Sequence, residues 1–186
     1  MKSIIKITGI VFLVLSLSFT VIVQAQASKD LKEQFLKIME AFPSGFATLK
    51  NGAPKYDIKN NSFYSKVNIS GTKYCMLEKL DKTEKLEYKA TIESDEDLSS
   101  SVFDKIYSEW KATIASLDFN GVPLVPYTTT KYDNRGKYEM YVKGSAWRLK
   151  TEGMSIDKKY FDFTIRLEYL DLDQGGLMLQ ILITDN

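Results

Sequence analysis

Residues 161–169 alternate between two kinds of side chain, with Phe, Phe, Ile, Leu and Tyr at the odd positions and Asp, Thr, Arg and Glu at the even ones. A repeat of two residues indicates a β-strand, because successive side chains point to opposite faces of a sheet. Similar alternation at residues 63–70 and 86–93 predicts further strands. One polar face per strand is typical of antiparallel strands covered on one side only. We therefore predict an antiparallel sheet with one face on a core and the other in water. A shorter apolar run at residues 46–49 is interpreted as another strand.

Two segments repeat their apolar residues at intervals of three or four, which indicates amphipathic helices. In the first, Asp30 and Glu33 form a capping-box pattern at the start of the helix. Its apolar stripe comprises Leu31, Phe35, Ile38 and Phe42. The second stripe comprises Val102, Phe103, Ile106, Tyr107, Trp110, Ile114 and Leu117. Helices alternating with groups of strands predict an α+β fold.

The predicted architecture has two amphipathic helices packed on one face of a twisted, mostly antiparallel sheet. Two αβ halves that share a continuous sheet are the favoured arrangement, because a helix followed by strands occurs twice along the chain. The alternative is a single helix wrapped in a curved, cone-shaped sheet. The two halves show no residue-level repeat, so the duplication is a hypothesis from the order of elements alone.

The N-terminus has the pattern of a cleavable secretory signal. Lys2 and Lys6 precede an uncharged, mostly aliphatic run at residues 7–23, and Ala25 and Ala27 form a small-residue cleavage site. We predict a signal peptide at residues 1–27, cut after Ala27 with Ala25 as second choice, and a single α+β domain at residues 28–186. The rival is an uncleaved anchor, for which this run is at the lower edge of the necessary length. The predicted location is the periplasm or the extracellular space of a Gram-negative bacterium.

Composition narrows the classes of function. Without the two lysines of the leading segment, the chain has one more acidic than basic residue. A chain with so little net charge has no overall electrostatic attraction to nucleic acid, or to an anionic membrane once the signal is removed. Histidine is absent from the sequence, which removes the usual general base and the commonest zinc ligand. No metal or other cofactor is therefore predicted, and an enzyme is disfavoured.

The remaining catalytic candidates are weak. Cys75 is the chain's one cysteine, so it forms no intramolecular disulfide, and it has no histidine to activate it, so a buried structural role is favoured. Asp162 and Glu168 could serve a carboxylate-dependent hydrolase, but their spacing on a strand places them about 20 Å apart. That separation is too large for such catalysis. Together with Arg166 they are interpreted as a solvated, charge-alternating sheet face.

One predicted hairpin concentrates tyrosine and basic residues. Its candidate binding residues are Tyr127, Tyr132, Arg135, Tyr138, Tyr141 and Lys143. Tyrosine and arginine are enriched in protein interfaces, because they combine a large contact area with a polar group. Tyrosine also favours strands, so ordinary strand composition is the favoured explanation of the cluster and an interface is the alternative.

Two hypotheses of function follow. The first is an exported, non-catalytic domain that holds an unknown partner, a protein or a small ligand, on its polar sheet face or its tyrosine-rich hairpin. The alternative is a carrier of a small apolar ligand with a pocket between helices and sheet, lined by Phe103, Trp110, Trp147 and Phe163. Native mass spectrometry separates the two, since a carrier copurifies with a small molecule and a binding module with a protein.

Overall fold

A computed structural model describes residues 29–55, 61–80, 85–95, 99–128, 139–172 and 176–185. Helix α1 (residues 29–41) leads into two short 3-10 turns, Phe42–Ser44 and Ala47–Leu49. Helix α2 is Ser100–Ala115, and a third 3-10 turn is Lys158–Tyr160. The strands are β1 Ser62–Tyr64, β2 Tyr74–Lys79, β3 Leu86–Asp95, β4 Asp118–Phe119, β5 Val122–Tyr127, β6 Glu139–Leu149, β7 Phe163–Leu172 and β8 Leu177–Asp185.

The predicted α+β class is confirmed. The eight strands form one sheet in the order β1-β2-β3-β8-β7-β6-β5-β4, and its neighbouring strands are antiparallel. Each helix is followed by a meander, and the two meanders meet where their last strands, β3 and β8, pair. Within the described part of the chain, neither helix combines the length and the apolar character that crossing a membrane requires.

One face of the sheet, which we call the core face, carries the apolar residues predicted from alternation. Its fully buried members include Tyr88 of β3, Ile165 and Leu167 of β7, and Ile181 and Ile183 of β8. These side chains form one buried cluster with residues of both helices. The helical members of the cluster include Phe35, Ile38, Phe103, Tyr107 and Ile114.

The end of helix α1 follows from its sequence. Pro43 lacks the backbone N–H that would continue the α-helix, and the chain tightens into the turn Phe42–Ser44. Gly45 then adopts a left-handed conformation with φ of 59°, and its N–H donates to the carbonyl oxygen of Phe42. Glycine adopts this conformation at little cost, which explains its frequency just after helix ends.

Two predicted strands are wrong or too long. Residues 46–49 form a 3-10 turn instead of a strand, because Phe46 is left-handed (φ 59°) and accepts a hydrogen bond from the N–H of Leu49. The strand expected from residue 63 ends at Tyr64. There the Ser65 hydroxyl oxygen accepts the N–H of Val67 at 3.1 Å, a local bond that replaces ladder pairing.

Both edges of the sheet are protected against pairing with another chain. At the β1 edge, Asn51 N–H donates to the Tyr64 carbonyl oxygen and Tyr64 N–H donates to Gly52, so the backbone of β1 is occupied on its outer side. At the other edge, β4 covers the start of β5, which also contains Pro123 and Pro126. Proline cannot donate to a ladder and is found on edge strands for that reason.

Candidate functional site

The face of the sheet opposite the core, which we call the second face, carries a buried polar centre. The strand register places Thr91 of β3, Gln180 of β8 and Glu168 of β7 side by side in one row. A parallel row places Lys89, Leu182 and Arg166 beside one another. Thr91, Gln180, Glu168 and Arg166 are all buried. The sequence prediction of a solvated face here is therefore wrong, since every residue from Phe163 to Leu170 on β7 is buried.

Arg166 is the hub of this polar centre. Its Nη2 donates to Glu87 Oε2 at 2.7 Å, and its Nη1 lies 3.7 Å from Glu168 Oε1. Gln180 Nε2 donates to the other oxygen of Glu168 at 3.1 Å. Charged groups this far from water are stable only when they are paired and hydrogen-bonded, so the contacts fix the positions of these side chains.

Three buried polar atoms in the same centre have no partner within the described structure: Arg166 Nε, Gln180 Oε1 and Thr91 Oγ1. A buried polar group without a hydrogen bond costs about 1–3 kcal/mol. Burial of these groups therefore carries a polar cost that burial of the apolar core face does not. Stability alone does not account for these polar residues, because apolar residues of similar volume avoid that cost.

Exposed tyrosines lie at the rim of the second face. The row through Arg166 runs from Tyr64 on β1, through Met76, Lys89, Leu182, Arg166 and Ala146, to Tyr127 on β5. Tyr64 and its neighbour Tyr74 are both 46% exposed. At the opposite rim, the Arg148 guanidinium lies 5.3 Å from the centre of the Tyr127 ring. The face thus combines a buried charged centre with the exposed Tyr64 and Tyr74 at one rim and the half-buried Tyr127 at the other.

The predicted tyrosine-rich hairpin is described in part. Tyr132, Arg135 and Tyr138 lie outside the described residues, and Tyr141 is described by its backbone, which pairs with Leu170. Tyr127 lies on the second face. Lys143 instead contacts helix α2, where it pairs with Asp104 and lies 4.7 Å from the centre of the Tyr107 ring. Its Nζ also lies 5.4 Å from the centre of the Tyr169 ring. Tyr127 and Lys143 are therefore not brought together.

The four predicted pocket residues occupy three places. Phe103 and Phe163 are fully buried in the core, where Phe103 stacks on Tyr169 with ring centres 5.5 Å apart and Phe163 meets Phe42 edge-on at 5.3 Å. Trp110 lines a groove of about 500 Å³ beside helix α1. Trp147 lines a second groove of about 430 Å³ beside β5.

Cys75 occupies a polar niche at the edge of the core. It is buried, and its Sγ accepts the N–H of Ile69 at 3.4 Å and lies 3.2 Å from Thr72 Oγ1. Nearby, burial raises the pKa of the Tyr88 hydroxyl well above its usual range, and the proximity of Cys75 raises it further. Among the residues that the structure describes, no group of three or more Asp, Glu or Cys side chains is arranged to hold a metal ion.

Several residues of the second face escape sequence reasoning. Glu87, Thr91 and Gln180 are brought beside Arg166 and Glu168 only by the pairing of β3, β8 and β7, and β3 is far from the other two strands in sequence.

Comparisons with models of known protein families, with curated protein sequences and with solved protein structures found no match to this chain.

Proposed function

We propose that this chain is an exported, non-catalytic binding module that holds a protein partner on the second face of its sheet. The observation that carries the proposal is the row of residues that ends in Tyr64 and Tyr127 and has the paired Arg166 at its centre. The exposed Tyr64 and the exposed Arg148 beside Tyr127 are residue types that protein interfaces concentrate, whereas Arg166 is buried and fixes the centre of the row. The partner is an unidentified protein, and neither nucleic acid nor a membrane is part of the proposal.

The protected sheet edges favour a face as the binding surface. A partner that adds a strand needs free backbone N–H and C=O groups along an edge. The hydrogen bonds that the Tyr64 backbone accepts from Asn51 and donates to Gly52 occupy the outer side of β1, and prolines interrupt β5. Because strand addition at these edges is blocked, we expect a partner to bind this sheet through side-chain contacts with the rim tyrosines.

Site-directed photocrosslinking in intact cells tests the proposal. A photoreactive phenylalanine analogue replaces Tyr64 or Tyr74, and the matched control carries it at Phe161, which has the same 46% exposure. We expect one discrete crosslinked protein at positions 64 and 74 and none at 161, and we expect Tyr127→Ala to weaken the crosslink at 64. Equal products at all three positions, or none at 64 and 74, would contradict the proposal.

We also propose that residues 1–27 are removed on export to the periplasm or the extracellular space. Support comes from the charged start, the uncharged run and the small residues Ala25 and Ala27, which lie outside the described residues. N-terminal sequencing of the native protein is expected to begin at Ser28. A native product that begins at Met1, or that sediments with membranes, would contradict this.

We propose in addition that both helices lie on the core face. Phe35 and Ile38 of α1 share one buried cluster with Phe103 and Ile114 of α2 and with core-face residues of the sheet, which supports a common side. The similar order of elements in the two halves supports a two-fold αβ plan. An experimental structure that places the helices on opposite faces would contradict the proposal.

A carrier of a small apolar ligand is the second candidate. The groove beside Trp110 favours it, because its volume of about 500 Å³ is in the range of small-molecule sites. Its apolar lining includes Leu31, Trp110 and Leu117. Native mass spectrometry of protein purified from its own compartment is expected to show a bound small molecule if this candidate is correct, and an unliganded mass if it is not.

A further inference from the structure

The groove beside Trp110 lies between helix α1, the turn at residues 70–71 and helix α2, and contacts between these segments hold its walls in place. It is lined by Leu31, Ser70, Gly71, Glu109, Trp110, Thr113, Ser116 and Leu117. The Gln34 amide of α1 clamps the turn at Ser70, since its Nε2 donates to Ser70 Oγ at 2.8 Å and its Oε1 accepts the Ser70 N–H at 2.7 Å. One wall is therefore held to helix α1 by two hydrogen bonds.

Gly71 brings the backbone of this turn against the Trp110 ring. Its φ of 87° is one that side chains rarely tolerate, and a Cβ at this position would lie 3.2 Å from Trp110 Cζ2. The ring is thus held in place by the turn while it lines the groove. A tryptophan ring held at the wall of a cleft offers a flat apolar surface with a negative π face.

Glu109 is the charged residue of the groove lining. Its carboxylate makes no ion pair with any cation in the described part of the chain, and Lys32, which follows the lining residue Leu31 in sequence, is already bound to Asp118 at 2.6 Å. A groove lined by both an exposed carboxylate and a tryptophan ring attracts an organic cation in two ways, by charge and by the cation–π interaction.

We infer that this groove binds a small organic cation with an apolar body, which packs on Trp110 while its ammonium group pairs with Glu109. The inference rests on the carrier candidate and specifies the charge of its ligand. An uncharged apolar ligand would use the Trp110 and Leu117 surfaces equally well but would gain nothing from Glu109.

The test uses the full mature chain and three probes of similar size: phenethylamine, 2-phenylethanol and 3-phenylpropionate, which at neutral pH are cationic, neutral and anionic. Tryptophan fluorescence and calorimetry measure binding. We expect phenethylamine to bind most tightly and Glu109→Gln to weaken it by about fivefold, while leaving 2-phenylethanol unchanged. The matched control is Glu152→Gln, an exposed carboxylate outside the groove lining, which is expected to leave all three affinities unchanged.

The outcomes separate the inference from the candidate on which it rests. Equal binding of the three probes, or an unchanged affinity for phenethylamine in Glu109→Gln, overturns the cation inference and leaves the carrier candidate standing. No binding of any probe at millimolar concentration overturns both. Thermal denaturation of each variant confirms that it is folded before its affinity is compared.

Discussion

The guanidinium of Arg166 on β7 reaches over β8 to bind the carboxylate of Glu87 on β3, with Nη2 and Oε2 2.7 Å apart. Adjacent strands are about 4.8 Å apart, so this contact spans two strand spacings and uses most of the arginine's length. Both side chains are buried. The pair links the two meanders on the second face, at the place where β3 and β8 join them.

Removing one partner of this pair is expected to be strongly destabilising. In Arg166→Met the side-chain length is largely kept, but the carboxylates of Glu87 and Glu168 lose their guanidinium. Loss of one member of a buried ion pair typically costs about 3–5 kcal/mol. Urea unfolding monitored by circular dichroism should show a decrease of that size in the unfolding free energy.

The matched control is Lys89→Met, which lies in the same cross-strand row as Arg166. Its Nζ is 3.4 Å from Glu78 Oε2, and the two side chains are 19% and 38% exposed, so water screens the pair. We expect this change to cost less than about 1 kcal/mol. Similar losses in the two variants would show that burial does not strengthen the dependence on Arg166.

Two glycine substitutions separate backbone strain from contact with Trp110. Gly71 and Gly153 both have positive φ, at 87° and 70°, but only at Gly71 would a new Cβ meet another atom within 4 Å. A left-handed conformation costs a non-glycine residue about 1–2 kcal/mol. Gly153→Ala should show that cost alone.

Gly71→Ala should cost more than Gly153→Ala, because the new methyl group also presses on the Trp110 ring at 3.2 Å. The same displacement should shift tryptophan emission in Gly71→Ala and leave it unchanged in Gly153→Ala. Equal unfolding free energies and identical emission spectra would contradict the close packing of this turn on helix α2.

Local patterns predicted both helices and several of the strands, but not which strands are neighbours in the sheet. The alternation at residues 161–169 predicted β7 and its core face, because side-chain direction in a strand depends only on position. Glu87 and Arg166 are 79 residues apart, and no local repeat reveals that one strand separates them in the sheet. For the same reason Arg166 was assigned to a solvated face although it is buried.

The errors at residues 46–69 have local causes that composition conceals. Phe46 has a strand-favouring side chain, yet its φ of 59° follows from the turn that Pro43 and Gly45 impose on the end of α1. Ser65 interrupts a well-alternating segment because its hydroxyl competes for the backbone N–H of Val67. In both places a single backbone conformation outweighs the hydrophobic pattern around it.

Acid should weaken the contact between α1 and β4. The hydrogen bond from Lys32 lowers the pKa of Asp118, and the N–H of Gly121 lowers it further. A depressed folded-state pKa contributes stability that is present above the unfolded value of about 3.9 and is lost as pH falls through the folded value.

Asp118→Asn is therefore expected to be less stable than the wild type at pH 7 and equally stable in strong acid. The side chains of Lys32 and Asp118 are both more than a third exposed, so solvent screening limits the difference in unfolding free energy at pH 7 to less than about 1 kcal/mol. Urea unfolding at the two pH values measures it, and high salt at pH 7 should reduce it. A difference that persists in strong acid would mean that packing, not charge, sets the effect.

Alkaline pH should destabilise the fold through Tyr88. Burial raises the pKa of its hydroxyl in the folded chain, and Cys75 raises it further, whereas the unfolded chain ionises at about 10. The contribution of the protonated Tyr88 hydroxyl to the unfolding free energy is therefore fully present below pH 10. Above it, the unfolding free energy falls by up to about 1.4 kcal/mol per pH unit, because only the unfolded chain releases this proton.

Tyr88→Phe removes both this proton and the hydrogen bond that the hydroxyl donates to the Val67 carbonyl oxygen at 2.8 Å. At pH 8 the variant should be less stable than the wild type by about 1 kcal/mol. Above pH 10 its stability should decline less steeply, so the two curves approach each other and then cross. Chemical denaturation at intervals between pH 8 and alkaline unfolding measures both slopes. Parallel curves would show that Tyr88 ionises as readily in the folded chain as in the unfolded one, and that its burial carries no alkaline penalty.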